Sequence, residues 1–311
     1  MGAREEFLFN LRVYRASAQQ AALLGASPPT TSQDESARLL RNGLSVIGLV
    51  LLEEYLRRRT AEIARYLGRG RLPMSAWPEK LRKLATERAP RNLASQIDAL
   101  VREKEDPLPL LRATSLAWPA RDQSPARVPA VGFLWSGSNV RSDDVASMLS
   151  ALGVERPWDQ LTDVAKRAGF TRVQSMDSLF AGVLRDRHHA AHRIEKDTLL
   201  LDIRSFPNSA LAFALAFDAV ACRAAALCRS QQLGQPATRA VTSADIRLRF
   251  LDDTGAGWSE SVEGLAGRVA TTARVTSAVA AAVRRTVPAG DVLVRRDRSL
   301  TPVWWRPGDL A

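Results

Sequence analysis

Residues 35–67, "ESARLLRNGLSVIGLVLLEEYLRRRTAEIARYL", run as one helical pattern whose centre is apolar nearly all round. Such a helix has no face to offer water, so other elements must enclose it. The segment therefore predicts the buried spine of a helical bundle, with charged ends beyond the core and Gly68 and Gly70 as stops. The rest of the chain supplies partners for it. A first helix is expected over residues 4–24, ending at Gly25, and the loop "SPPTTSQDES" offers capping residues to the second. Residues 71–135 are rich in proline and tryptophan, with one helix expected within "PEKLRKLATERAPRNLASQIDALV". Further helices are expected over roughly 141–152, 157–168 and 172–193, and a second long core helix over 206–234 with Gly234 as its stop. Residues 1–234 thus read as an all-α bundle.

The pattern changes after Gly234. "DIRLRFLDD" alternates as a strand does, and "GLAGRVATTARVTSAVAAAVRRTVP" reads as a helix with an alanine-valine face. "GDVLVRRD" and "TPVWWRPGD" read as strands around a turn. The expected fold class is mainly α, a helical bundle with a small C-terminal α+β extension over residues 235–311. The sequence has no internal repeat and no extended low-complexity segment.

A net charge of +11 fits a polyanionic partner such as nucleic acid. It discriminates weakly here. The five lysines are Lys80, Lys83, Lys104, Lys166 and Lys196, so nearly all the positive charge is arginine, and with the abundant alanine this matches the codon bias of a GC-rich genome. Cys222 and Cys228 have neither redox-pair nor zinc spacing and read as small buried hydrophobes in a reducing compartment. The opening "MGAREEFLFN" is charged where a secretory leader would be apolar, and the longest apolar run, 43–52, is about half a membrane span. The expectation is a soluble cytoplasmic protein that does not contact a membrane.

All three histidines, His188, His189 and His192, lie within "RDRHHAAHR", residues 185–193. Met176, Phe180 and Val183 mark an apolar stripe with Leu184 beside it, and the same three-to-four spacing reaches Arg187, His188 and His192. The spacing predicts that these three polar groups continue a packed face, where burial is costly unless a partner answers them. One reading is structural, with cations near a helix C-terminus complementing its dipole. A metal site is another, because His188 and His192 stand four apart as two zinc ligands on one helix do. No H-E-x-x-H pattern, fourth histidine or clustered cysteine completes a shell, so neither metal nor other cofactor is expected. The third is metal-free phosphoryl chemistry, in which imidazole moves protons near neutral pH and guanidinium steadies negative charge.

"RHHAAH", Arg187 to His192, resembles the R-x-x-x-x-H signature of HEPN-domain ribonucleases, with His188 as the polar residue after the arginine. The "VLLEEYL" segment of the second long helix is similar to an apolar-apolar-Glu-aromatic segment of the RiboL-PSP-HEPN type, and "SGSNVRSDDVASMLSALGV" to a helix preceding the motif. In pattern the resemblance spans about residues 5–232. The sequence departs from it in having Arg193 where a small residue commonly follows the histidine, and Arg185 offers a second arginine at a looser spacing. The resemblance implies a homodimer whose two motifs form one RNA site. His192 would be the acid/base, Arg187 would hold the scissile phosphate, and His188 would orient them or contact the backbone. Glu54, preferred to Glu53 because it precedes Tyr55, would be the supporting acid. The implied activity is metal-independent endoribonuclease, in a prokaryotic toxin or antiviral effector with an antitoxin or defence-system partner. Two other classes fit the sequence: a catalytically silent HEPN module binding RNA or a partner protein, and a helical scaffold whose histidines merely pack.

Other features carry less. His189 falls a helical step off the expected face. "RRRTAEIAR", 57–65, is a guide for RNA or a solvated helix end, and Trp304 and Trp305 are base-stacking groups or core packing. No phosphate-cradling G-x-x-x-x-G-K loop and no G-x-S-x-G elbow occurs.

Overall fold

Helices α1 (Ala3–Leu24), α2 (Thr31–Leu67) and α10 (Leu200–Ser230) pack along one another in a computed structural model, with α10 the most buried. It describes residues 2–24, 31–69, 74–115, 129–133, 140–192, 198–230 and 240–309. Contrary to expectation α2 is not enclosed all round, since Leu39, Ile47 and Val50 leave an apolar stripe exposed. On α1 the buried side chains are Phe7, Leu11, Tyr14, Ala18 and Ala21, a three-to-four spacing that keeps one face inward. Phe7 meets Tyr55 of α2 with ring centroids 4.7 Å apart, and Tyr14 meets Phe206 of α10 at 5.0 Å. α10 is buried through almost all of Ala210–Ala225, and its alanines let neighbouring helices approach closely. A Cβ at Gly48 of α2 would lie 3.0 Å from the Phe206 ring, so glycine there seats α10 against α2. Among the described residues only α10 is long and apolar enough to cross a membrane, and most of it is buried inside the fold.

The remaining helices are α3 (Glu79–Lys83), α4 (Ala89–Arg102), α5 (Leu108–Ser115), α6 (Ala130–Phe133), α7 (Ser142–Ala151), α8 (Pro157–Ala168) and α9 (Met176–His192). The single helix expected around residues 79–101 is interrupted. Between α3 and α4 the chain widens into a π turn over Leu84–Arg88, directly before Pro90. Proline has no N–H and its ring crowds the carbonyl four residues back, so the ladder must re-register there. α10 starts at Leu200, ahead of the expected Phe206, and carries Pro207 in its interior.

Beyond residue 240 the chain forms β1 (Leu248–Asp253), β2 (Trp258–Val262), β3 (Ala270–Thr272), α11 (Val275–Ala289), β4 (Val292–Arg296) and β5 (Pro302–Pro307). The sheet order is β3-β2-β1-β4-β5, with β1 and β4 parallel and the other pairs antiparallel. The fold is mainly helical with a small C-terminal sheet. Strand β2 was not expected from the sequence, and β3 occupies the start of the anticipated helix. There Ala270, Thr271 and Thr272 pair with Glu260, Ser259 and Trp258, and two β-branched residues suit a pleated surface better than a helix.

The hydrophobic core does not stop at residue 234. Leu248, Phe250, Val292, Val294 and Trp305 join the same buried cluster as the bundle, while Leu251 and Leu293 face the other way onto Ala278 and Ala282 of α11. A buried polar network locks the two parts. Trp305 donates its indole N–H to Asp218 at 2.8 Å, Arg59 pairs with the same carboxylate, and Arg59 and Cys222 bond each other and Asp218. The other cysteine, Cys228, is also free and buried, and burial pushes its thiol up to about 12.

Candidate functional site

Helix α9 carries the histidine cluster, and its first turns are firmly anchored. The Met176 amide donates to the Thr162 hydroxyl at 3.0 Å, and the buried Phe180 ring lies 4.9 Å from Phe213 and 6.0 Å from Trp158. Val183 and Leu184 are half-buried against the core.

The polar end of α9 does not continue inward as its spacing predicts. His188 and His192 are exposed, and Arg187 is half-buried. Helix geometry explains the difference. Each step of four residues turns about 400°, so a row at that spacing drifts about 40° per step. From Phe180 the row passes through half-buried Leu184 to exposed His188 and His192. A step of seven residues drifts only about 20°, which keeps Arg187 on the Phe180 stripe.

Arg187 therefore turns toward α2. Its Nε is buried and has no hydrogen-bond partner among the described residues. Its charge acts on Glu53, whose side chain is buried and whose Oε1 accepts the Val140 N–H at 2.7 Å. Burial raises the Glu53 carboxyl above its ordinary range, and the Val140 bond and the charges of Arg57 and Arg187 work against that rise. Glu54 sits elsewhere. It is exposed and pairs with Arg58 one turn on at 3.2 Å, so Glu53 and not Glu54 stands beside Arg187. The preference for Glu54 rested on its neighbour Tyr55, but Tyr55 is itself a core residue bonded to the Ala214 carbonyl. Adjacent residues on a helix point about 100° apart, so a buried Tyr55 turns Glu54 outward.

The two exposed imidazoles are neighbours. His188 and His192 have ring centroids 4.8 Å apart, and His189 lies 6.1 Å from His188. Arg185 is exposed on the same face, seven residues and so about 20° from His192, whereas Arg187 lies about 140° round the helix from it. Arg193 lies outside the described residues. On the flank of α9 that carries Ser178, Gly182 and Asp186, a cleft of about 230 Å³ opens toward Tyr14, Thr198 and Asp202. Its two carboxylates suit it poorly to a phosphate.

The arginine run 57–65 divides. Arg59 is buried in the Asp218 network, Arg58 pairs with Glu6 and Glu54, and Arg65 bonds the Ala61 carbonyl. The tryptophan pair divides as well, with Trp305 in the core and Trp304 half-buried at the edge strand. Sequence reasoning passed over the role of Arg59, whose only signal was a cation three residues past the apolar Leu56 on the inward face.

No protein-family model, curated protein or solved structure matches this chain. The chemistry of the site rests on its own groups. Among the described residues no three of His, Cys, Asp and Glu converge as metal ligands would. Two adjacent imidazoles in water can exchange protons, and Arg185 on their own face and half-buried Arg187 next to His188 in the chain supply guanidiniums for a phosphate.

Proposed function

We propose that this protein is a metal-independent endoribonuclease of the HEPN type, acting as a homodimer. The observation that carries the proposal is the pair of exposed, adjacent imidazoles His188 and His192 on α9, next in the chain to Arg187, whose buried Nε has no partner among the described residues and whose charge reaches Glu53. The charge of Glu53 draws the guanidinium toward α2, and its N–H groups are available to a phosphodiester.

In the proposed reaction the ribose 2′-oxygen attacks the adjacent phosphorus and the bond to the 5′-oxygen breaks. This leaves a 2′,3′-cyclic phosphate and a free 5′-hydroxyl. His192 of one protomer takes the 2′-hydroxyl proton while His192 of the partner subunit gives a proton to the departing 5′-oxygen, since one imidazole cannot do both at once. Arg187 steadies the phosphorane charge, and His188, 4.8 Å from His192, orients it or contacts the RNA backbone. Glu53 takes the supporting place first given to Glu54, as a positioning residue. The need for a 2′-hydroxyl restricts the substrate to RNA. A toxin or antiviral effector, held in check by an antitoxin or defence-system partner, is the setting the resemblance implies.

The test is incubation of the purified protein with single-stranded and structured RNA in EDTA, alongside Arg187→Ala and His192→Ala. Cleavage by the wild type that is lost in both variants supports the proposal. A Mg²⁺-dependent activity surviving both would overturn it. A second reading, a catalytically silent module binding RNA or a partner protein, is favoured by one observation: both imidazoles are exposed on the single chain. Intact RNA with retained RNA binding would select it.

A further inference from the structure

A different part of the molecule collects arginines around aromatic rings, of which Phe9 is exposed and Trp304 and Trp258 are half-buried. Where α1 meets the edge strand β5, a cleft of about 370 Å³ is lined by Leu8, Phe9, Arg12, Arg15, Arg295 and Trp304. Phe9 is 49% exposed although it is a large apolar side chain on an amphipathic helix. The Arg12 guanidinium lies 5.9 Å from the Phe9 ring centroid, and that of Arg295 lies 6.0 Å from Trp304 and 5.9 Å from Trp258.

These cations are short of carboxylates. Among the described residues neither Arg12 nor Arg295 forms an ion pair, and the buried Nε of Arg295 has no hydrogen-bond partner. Arg15 donates to the Asn208 amide oxygen at 3.0 Å, which brings no negative charge. The one acid lining the cleft, Glu5, is already paired with Arg4. Asp297 accepts hydrogen bonds from Ser299 and Thr301, forms no ion pair with Arg15, and its charge offsets only part of the cluster's positive charge. Burial lowers the pKa of Arg295, and the like charge of Arg12 lowers it further, so the cluster is electrostatically unfavourable as it stands. An anion in the cleft would relieve that repulsion.

The volume is of small-ligand size. Unpaired guanidiniums recognise phosphate through several parallel N–H bonds, and the exposed Phe9 ring can stack on a planar heterocycle. Half-buried Trp304, which also has the Arg4 guanidinium 5.6 Å from its centroid, lines the same cleft. We propose that this cleft binds one nucleotide unit, its base against Phe9 and Trp304 and its phosphate on Arg12, Arg15 and Arg295. The unit is either a free nucleotide or one residue of a single strand. This inference uses no residue of α9 and stands independently of the nuclease proposal.

The test is a titration of the full chain with AMP, with inorganic phosphate and with a short fluorescent 2′-O-methyl oligoribonucleotide, which 2′-hydroxyl attack cannot cleave. Arg12→Ala and Phe9→Ala are the variants, since Arg12 is exposed and Phe9 half-exposed, and thermal melting confirms that each is folded. Saturable binding of AMP or the oligonucleotide, weakened about tenfold by each variant, supports the proposal. Binding of both identifies a free nucleotide as sufficient, and binding of the oligonucleotide alone identifies the strand. The proposal is overturned by absence of binding to either, by affinities the variants leave unchanged, or by phosphate binding as tightly as AMP with Phe9→Ala without effect. His192→Ala should leave this binding intact, which separates it from any result at the histidines.

Discussion

The indole N–H of Trp305 donates to Oδ2 of Asp218 at 2.8 Å, so the last strand of the sheet is hydrogen-bonded to the central helix of the bundle inside one core. Asp218 also pairs with Arg59, which is itself buried. Removing the carboxylate would leave that charge with Glu62 alone and the buried Trp305 N–H without its acceptor. Asp218→Ala is expected to cost about 3–5 kcal/mol, and Trp305→Phe about 1–3 kcal/mol because it leaves one carboxylate oxygen short of a donor. Urea unfolding followed by far-ultraviolet circular dichroism and tryptophan fluorescence should give one coincident transition for the wild type. Two separated transitions would show that the sheet is not tied to the bundle in this way.

Glu53 and Glu54 offer a contrast between neighbours. Glu53→Ala leaves the buried Val140 N–H without its acceptor and should lose about 1–3 kcal/mol. Glu53→Gln retains an acceptor and should lose less. Glu54→Gln breaks only an exposed pair with Arg58 and should stay within about 0.5 kcal/mol. Chemical denaturation of the three variants measures the order directly. In the RNA assay Glu53→Gln should reduce cleavage and Glu54→Gln should not.

Two glycines on α2 should respond oppositely to alanine. Nothing lies within 4 Å of a Cβ at Gly43, so Gly43→Ala should stabilise by about 0.5–1 kcal/mol through helix propensity alone. At Gly48 the added methyl meets the Phe206 ring at 3.0 Å, and overpacking of about 1–3 kcal/mol outweighs that gain. A thermal melt that ranks Gly48→Ala above the wild type would contradict the packing described.

Asp309 supplies a pH dependence. Burial raises its carboxyl from the ordinary 3.8 to about 6, against the opposing charge of Arg223 and with the nearby Asp291 adding to the rise. The folded state therefore holds this proton more tightly than the unfolded state does. The stabilisation is complete below pH 3.8 and is lost as pH rises through about 6. Compared with Asp309→Asn, the wild type should lose melting temperature between pH 4 and pH 7, and the gap should be flat above that. A constant offset across the whole range would count against the shifted carboxyl.

If the RNA site is shared between two protomers, activity must follow the dimer. Specific activity should fall on dilution with the same midpoint that sedimentation gives for dissociation. Cleavage by a monomer that is undiminished at high dilution would place all the chemistry in one chain.

The histidine helix illustrates what was legible in advance and what was not. Periodicity placed α1, α2, α7, α8 and α9 within a few residues, because each has an apolar stripe bounded by glycine, proline or capping residues. Strand β2 escaped notice because "WSESV" is short and half polar, and its pairing with β1 supplies what its own composition lacks. The same holds for single residues. Nothing local distinguishes Arg59 from Arg58, yet one is sealed against Asp218 and the other lies in water with Glu6 and Glu54.

The amino-acid sequence alone determined the helical bundle, the change of pattern after Gly234 and the gathering of every histidine on one helix end, since these follow from local spacing and composition. Only the tertiary structure decided that His188 and His192 face solvent while Arg187 turns toward Glu53, and that the tryptophan pair splits between core and edge. Those outcomes depend on the accumulated rotation of one helix against neighbours far away in the chain, and burial is a property of the packed whole.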